Sequence, residues 1–142
     1  MNLNELGKLP IPGARPAGED VRDDAGYDLL LREIEKLTSF TSTGTIDWGK
    51  VRDLSADILA GKSKDLRVAC YLSAALLKTD GTRGLAAGVQ VIRDMLENFW
   101  DDMYPVKSRM RARRNAVEWW METLDKYLEG LYETDEALRD AW

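Results

Sequence analysis

The stretch Ser63–Leu77, SKDLRVACYLSAALL, decides the fold. Its first five residues carry three charges and its last ten carry none. Leu66, Ala69, Cys70, Ser73, Leu76 and Leu77 recur at helical spacing, and Val68, Leu72 and Ala75 fall on the other side. A helix without a polar face is covered by its neighbours. The stretch therefore predicts a central helix, capped by Ser63 and ended at Asp80-Gly81, and the rest of the chain must supply the helices that wrap it.

Those helices can be read outward from it. On the N-terminal side, Asp47 caps a short helix with Val51, Leu54, Ile58 and Leu59 on one face, and Gly61 ends it. The polar run TSFTSTGTI, residues 38–46, is a loop. Asp23-Asp24 opens a first helix, with Tyr27, Leu30, Leu31, Ile34 and Leu37 in register. Residues 1–20 hold three of the four prolines and show no helical period, so they form a strap or tail. On the C-terminal side, Thr82 or Arg83 begins a fourth helix. Leu85, Val89, Ile92, Leu96, Phe99 and Met103 mark its buried face, and Pro105 stops it. A fifth helix starts near Arg109 with Val117, Trp120, Leu124, Tyr127 and Leu131 inward. ETDEALRDAW, residues 133–142, holds the start of a sixth, as if the chain were a piece of something longer.

No segment alternates with period two, so no sheet is expected. Joints of about three residues make helices two, three and four antiparallel neighbours. The fold class is all-α: a single compact bundle of five to six antiparallel helices with an extended N-terminal strap. The organisation reads as a strap over 1–20, a helical domain over 21–133, and a further helix or linker over 134–142.

Composition narrows the chemistry. The chain has 142 residues, 44% hydrophobic and 32% charged, which is a globular balance. Net charge is −5 and the pI is near 4.8, which disfavours phosphate backbones and anionic membranes unless cations cluster. There is no histidine and a single cysteine, Cys70. That removes the commonest general base, an intrachain disulfide and any ordinary zinc site, leaving only carboxylate sites for magnesium or calcium. No cofactor is expected. The proline-rich N-terminus is no export signal, no apolar run is long enough to span a membrane, and the cytoplasm is the expected location.

Several motifs have plain structural readings. Gly61-Lys62-Ser63 lacks the upstream glycine and strand of a phosphate loop and reads as a helix end followed by a helix start. Gly88 reads as a close helix contact. The paired acids Glu19-Asp20, Asp23-Asp24 and Asp101-Asp102 read as solvated ends, because adjacent residues on a helix diverge. KSRMRARR is sharper. Lys107, Arg109, Arg111, Arg113 and Arg114 put five cations in eight residues. They could neutralise Glu97, Asp101 and Asp102, meet a protein partner, or bind nucleic acid or another acidic partner. Trp120 fits the core stripe, whereas Trp119 lies toward its edge, where it could cover a second helix or a partner.

The same residues resemble the ImpA-type N-terminal domain of TssA-like proteins of the type VI secretion system. PIPGARPAGEDVRDDAGYDLL is similar to the family's opening. Asp47-Trp48, Ser63-Lys64-Asp65-Leu66-Arg67, Gly81 and Gly84-Leu85 resemble its central signature, and LENFWDDMYP with RRNAVEWW its closing part. The resemblance implies a non-catalytic cytoplasmic scaffold that touches baseplate, membrane-complex or sheath and tube components of a contractile tail. It implies no nucleic acid, no membrane insertion, and homo-oligomerisation through C-terminal regions absent here. Candidate partner-binding residues are Lys107, Arg109, Arg111, Arg113, Arg114 and Trp119. A structural polar network is expected from Asp20, Asp23, Lys64, Asp65 and Arg67, in which Arg67 reaches Asp20 or Asp23 and pins the strap across the bundle end.

Overall fold

The computed structural model describes residues 2–38 and 45–134, with side chains through Gly130. The middle of the expected 38–46 loop and the expected sixth helix lie outside the described residues. A short 3-10 turn at Leu3–Glu5 is followed by α1 (Ala25–Glu35), α2 (Trp48–Gly61), α3 (Leu66–Asn98) and α4 (Met110–Thr134). The class is all-α, as expected. Among the described residues there is no strand, only the bridge pairs Gly18–Ser63 and Asp65–Tyr104.

The central helix is where the sequence placed it. From Leu66 to Leu77 every residue is buried except Arg67 and Tyr71, which are half-buried. Its apolar circumference is met by α2 on one side, backed by α1, by the second arm of α3 and α4 on others, and by the strap at its start. The expected third and fourth helices are the two arms of α3, separated at Gly81, where φ is 67° and ψ −145°. Only glycine takes that conformation without strain, so the chain folds back there. The arms close on small residues. A Cβ at Gly88 would sit 2.5 Å from the Ser73 hydroxyl oxygen, and one at Gly84 would sit 2.0 Å from the Leu76 carbonyl oxygen. Gly88 is thus a close helix contact, as its position suggested.

That approach also rotates the second arm away from its expected register. Gly84, Gly88, Val91, Ile92 and Met95 face inward, whereas Val89 and Leu96 are exposed. Periodicity counted the large apolar residues and missed the stripe of glycines that lets the arms approach. The arm also ends earlier than Pro105 suggested. Phe99 leaves helical geometry, and the chain turns so that Tyr104 lies beside the start of α3. There the Tyr104 N–H donates to the Lys64 carbonyl at 2.9 Å, and the Leu66 N–H donates to the Tyr104 carbonyl at 2.7 Å. The turn satisfies one of the orphan donors of a helix start.

The N-terminal segment is a packed strap rather than a tail. Leu6, Ile11, Ala17 and Val21 are buried. Gly7 lies so close to α3 that a Cβ would be 2.4 Å from the Val91 carbonyl. Gly18 has a positive φ of 74° and crosses Lys62 equally closely. The Lys64 N–H donates to the Ala17 carbonyl at 2.8 Å, and the Glu19 N–H to the Lys62 carbonyl at 3.1 Å.

Candidate functional site

Three places gather polar or aromatic side chains. The first is the knot at the start of α3. Asp65, not Ser63, caps the helix: its carboxylate accepts from the N–H groups of Arg67 at 2.8 Å and Val68 at 3.3 Å. Ser63 is instead buried in its pairing with Gly18. Arg67 does not pin the strap. Its Nε and Nη2 donate to the same Asp65 carboxylate at 3.1 and 2.6 Å, and the guanidinium lies 5.3 Å from the Tyr27 ring centre. Burial works against its charge, but the Asp65 carboxylate outweighs this and holds its pKa above the ordinary value, with Asp20 adding only a longer-range field. Among the described residues, Asp20 pairs with Arg22 at 3.8 Å, and Asp23 makes no ion pair. An arginine two residues from an acid that is also a cap is a shorter reach than the strap.

The pin is Lys64. Its Nζ donates to the Leu6 carbonyl at 2.6 Å and the Leu59 carbonyl at 2.7 Å, and stands 5.5 Å from the Phe99 ring centre. It is almost wholly buried, and burial pushes its pKa down to about 8. One ammonium thereby joins the strap, the end of α2 and the far end of α3.

The second place is the basic run. The structure divides it. Arg113 is 2% exposed and donates to the carbonyls of Pro105 at 2.7 Å, Trp100 at 2.9 Å and Met103 at 3.0 Å. It stacks 4.8 Å from the Trp100 ring centre. The guanidinium fork matches three carbonyls that the turn after α3 leaves without helical partners. Arg113 therefore belongs to the fold and is withdrawn from the expected binding surface. Lys107 precedes α4 and pairs with Asp101 at 2.8 Å, one of the acids it was expected to neutralise. Arg109, Arg111 and Arg114 are exposed, and none forms an ion pair among the described residues. The nucleic-acid reading loses Arg113 and part of Lys107.

The third place contains one expected partner-binding residue, Trp119, but the groove around it is not read from the sequence. A groove of about 610 Å³ opens between the turn after α1, the start of α2, the first arm of α3 and α4. Leu37, Trp48, Lys78, Trp119, Lys126 and Tyr127 are among its lining residues, with Glu122 at its rim. Trp119 lines it and also a smaller recess with Arg67 and Asn115, and meets Tyr71 edge-on with ring centres 4.9 Å apart. Lys78 lies 3.8 Å from the Tyr127 ring centre and 5.8 Å from that of Trp48. Trp48 and Lys78 sit 30 residues apart on different helices, so no spacing rule could join them. The hint in the sequence was Trp119, placed at the edge of the core stripe where it could cover a partner.

Among the described residues, no three cysteine or carboxylate groups are placed to hold a metal ion, and no helix is long and apolar enough to cross a membrane.

Comparison with known proteins decides the family. The model of the ImpA N-terminal family, type VI secretion system, matches residues 9–122. The chain belongs to that family. As an ImpA N-terminal domain it is 33% identical over 94 residues to the type VI secretion system component TssA1 of Pseudomonas aeruginosa. That match takes in 59% of this chain and 27% of the relative, so the domain spans little more than a quarter of that protein. Among solved structures it resembles the N-terminal domain, including the conserved ImpA_N region, of the TssA component from Burkholderia cenocepacia. The TM-score is 0.70 at 25% identity, with 98% of this chain and 64% of that chain covered. Lys64, Asp65 and the whole basic run lie inside the matched span, whereas the groove straddles its end, with Trp48, Lys78 and Trp119 inside and Lys126 and Tyr127 beyond it.

Proposed function

We propose that this chain is a non-catalytic adaptor domain of a TssA-like protein, making protein contacts while the contractile tail of a type VI secretion system is assembled. The observation that carries this reading is family membership over residues 9–122. Its partners are then baseplate, membrane-complex or sheath and tube proteins in the bacterial cytoplasm, and self-assembly of the full-length protein belongs to regions beyond this domain. The side chains support contact rather than chemistry. The strongest polar networks, those of Lys64 and Arg113, end on backbone carbonyls and hold the fold. The cations left over, Arg109, Arg111 and Arg114, suit an acidic rim on a partner, where they would speed and orient association.

The test is co-elution of the purified domain with each purified tail component at increasing salt. The reading expects one component to bind the wild type and to bind Arg111→Glu/Arg114→Glu more weakly. Binding to none of them, with binding to DNA instead, would overturn it.

A further inference from the structure

Resting on that adaptor reading, we infer that the groove between Trp48, Lys78, Trp119 and Tyr127 is a docking site for a protein segment that presents an apolar side chain beside a carboxylate.

Three observations select this occupant. The volume, about 610 Å³, falls within the range of clefts that enclose a ligand or a few side chains, roughly 300–1,000 Å³. The walls supply Leu37 and three large aromatic rings, and Leu37, in the turn after α1, is 42% exposed. Tryptophan and tyrosine in a partly open recess are the residue types that dominate binding energy at interfaces. The charge is unbalanced. Among the described lining residues, Lys78 and Lys126 face a single acid, Glu122. Among the described residues Lys78 has no carboxylate within ion-pair distance and rests against rings alone. Burial already disfavours that cation. A carboxylate carried in by an apolar anchor would give the ammonium the charged acceptor it lacks, in a site the anchor has emptied of water. A basic or wholly apolar segment would leave it worse placed than before, and this sets the selectivity.

The experiment is selection of a phage-displayed library of random linear peptides on the folded domain, followed by affinity measurement of the enriched peptides as synthetic peptides. Enriched sequences are expected to share Asp or Glu next to a large apolar residue. Their affinity is expected to fall about tenfold or more against Lys78→Met and, independently, against Lys126→Glu, an exposed position that does not threaten folding. Replacing the peptide carboxylate by its amide should cost the wild type about as much and cost Lys78→Met little. No enrichment, enrichment without an acid, or equal binding to Lys78→Met overturns the proposal. So does self-association of the domain that Lys78→Met abolishes, since the occupant would then be a second copy. The adaptor reading is scored separately by the co-elution assay: a tail component that binds wild type and Lys78→Met equally removes the groove and leaves the reading standing.

Discussion

The Lys64 ammonium donates to the carbonyl oxygen of Leu6, 58 residues away in sequence, at 2.6 Å. With the bond to the Leu59 carbonyl, this makes a single side chain the junction of the strap, α2 and α3. Replacing it leaves two buried acceptors without a donor. Lys64→Met should cost about 2–4 kcal/mol by chemical denaturation. It should also expose the segment before α1 to limited proteolysis, whereas Arg67→Met should leave that segment protected. Equal protease resistance of wild type and Lys64→Met would show that the strap is held by its apolar residues alone.

The same group gives the domain a pH dependence. The folded-state value is lowered to about 8 from an ordinary 10.5 by burial. Between those values the unfolded chain holds a proton that the folded chain has released, so the Lys64 contribution to stability rises with pH. Cys70 works the other way above pH 9, because burial pushes its thiol up to about 12 and the folded state then keeps a proton the unfolded chain loses. The wild-type denaturation midpoint should therefore climb from pH 7 to 9 relative to that of Lys64→Met. Parallel curves would mean that the two carbonyls hold the ammonium at its ordinary pKa.

Arg113 and its neighbours Arg111 and Arg114 look alike in sequence and should behave oppositely. Arg113→Met removes donors to three carbonyls and should cost about 2–4 kcal/mol. Arg111→Met and Arg114→Met should stay within about 0.5 kcal/mol of wild type. Thermal or urea unfolding of the three variants decides between a fold role and a surface role for each residue.

Gly88→Ala places a methyl 2.5 Å from the Ser73 hydroxyl oxygen and 2.6 Å from its Cα. Alanine gains about 1 kcal/mol of helix propensity over glycine. Overpacking of this kind costs about 1–3 kcal/mol and, against backbone, should win. Gly61→Ala, at the open end of α2, has nothing within 4 Å and should be neutral or slightly stabilising. If Gly88→Ala stabilises as well, the two arms of α3 are not in the contact described.

Most of the fold was legible in the sequence, and the reason is physical. Leu66–Leu77 has no polar face, so burial on all sides was the only arrangement open to it, and every other helix followed from that demand. Errors came where small or charged residues made the contacts. Val89 and Leu96 looked like core but are outside, because Gly84 and Gly88 bring the arms together on another face. Ser63 looked like a cap, but Asp65 offers a carboxylate two residues nearer the helix. Arg113 sat in a basic run and nothing local distinguished it; only the turn after Asn98 creates the carbonyls it serves. The groove was the least legible feature, since Leu37 comes from the turn after α1 and Trp48, Lys78 and Tyr127 from three different helices, and they meet only in three dimensions.

The central claim, that this domain works through its α4 side as an adaptor, is tested most directly by site-specific photo-crosslinking in secreting bacteria. A photoreactive amino acid is placed at Arg111, at Glu122 or at exposed Leu29 on α1 of the full-length protein. The account predicts covalent capture of a type VI tail component from Arg111 and Glu122 and none from Leu29. Capture from Leu29 alone, or from no position while secretion proceeds normally, would contradict it.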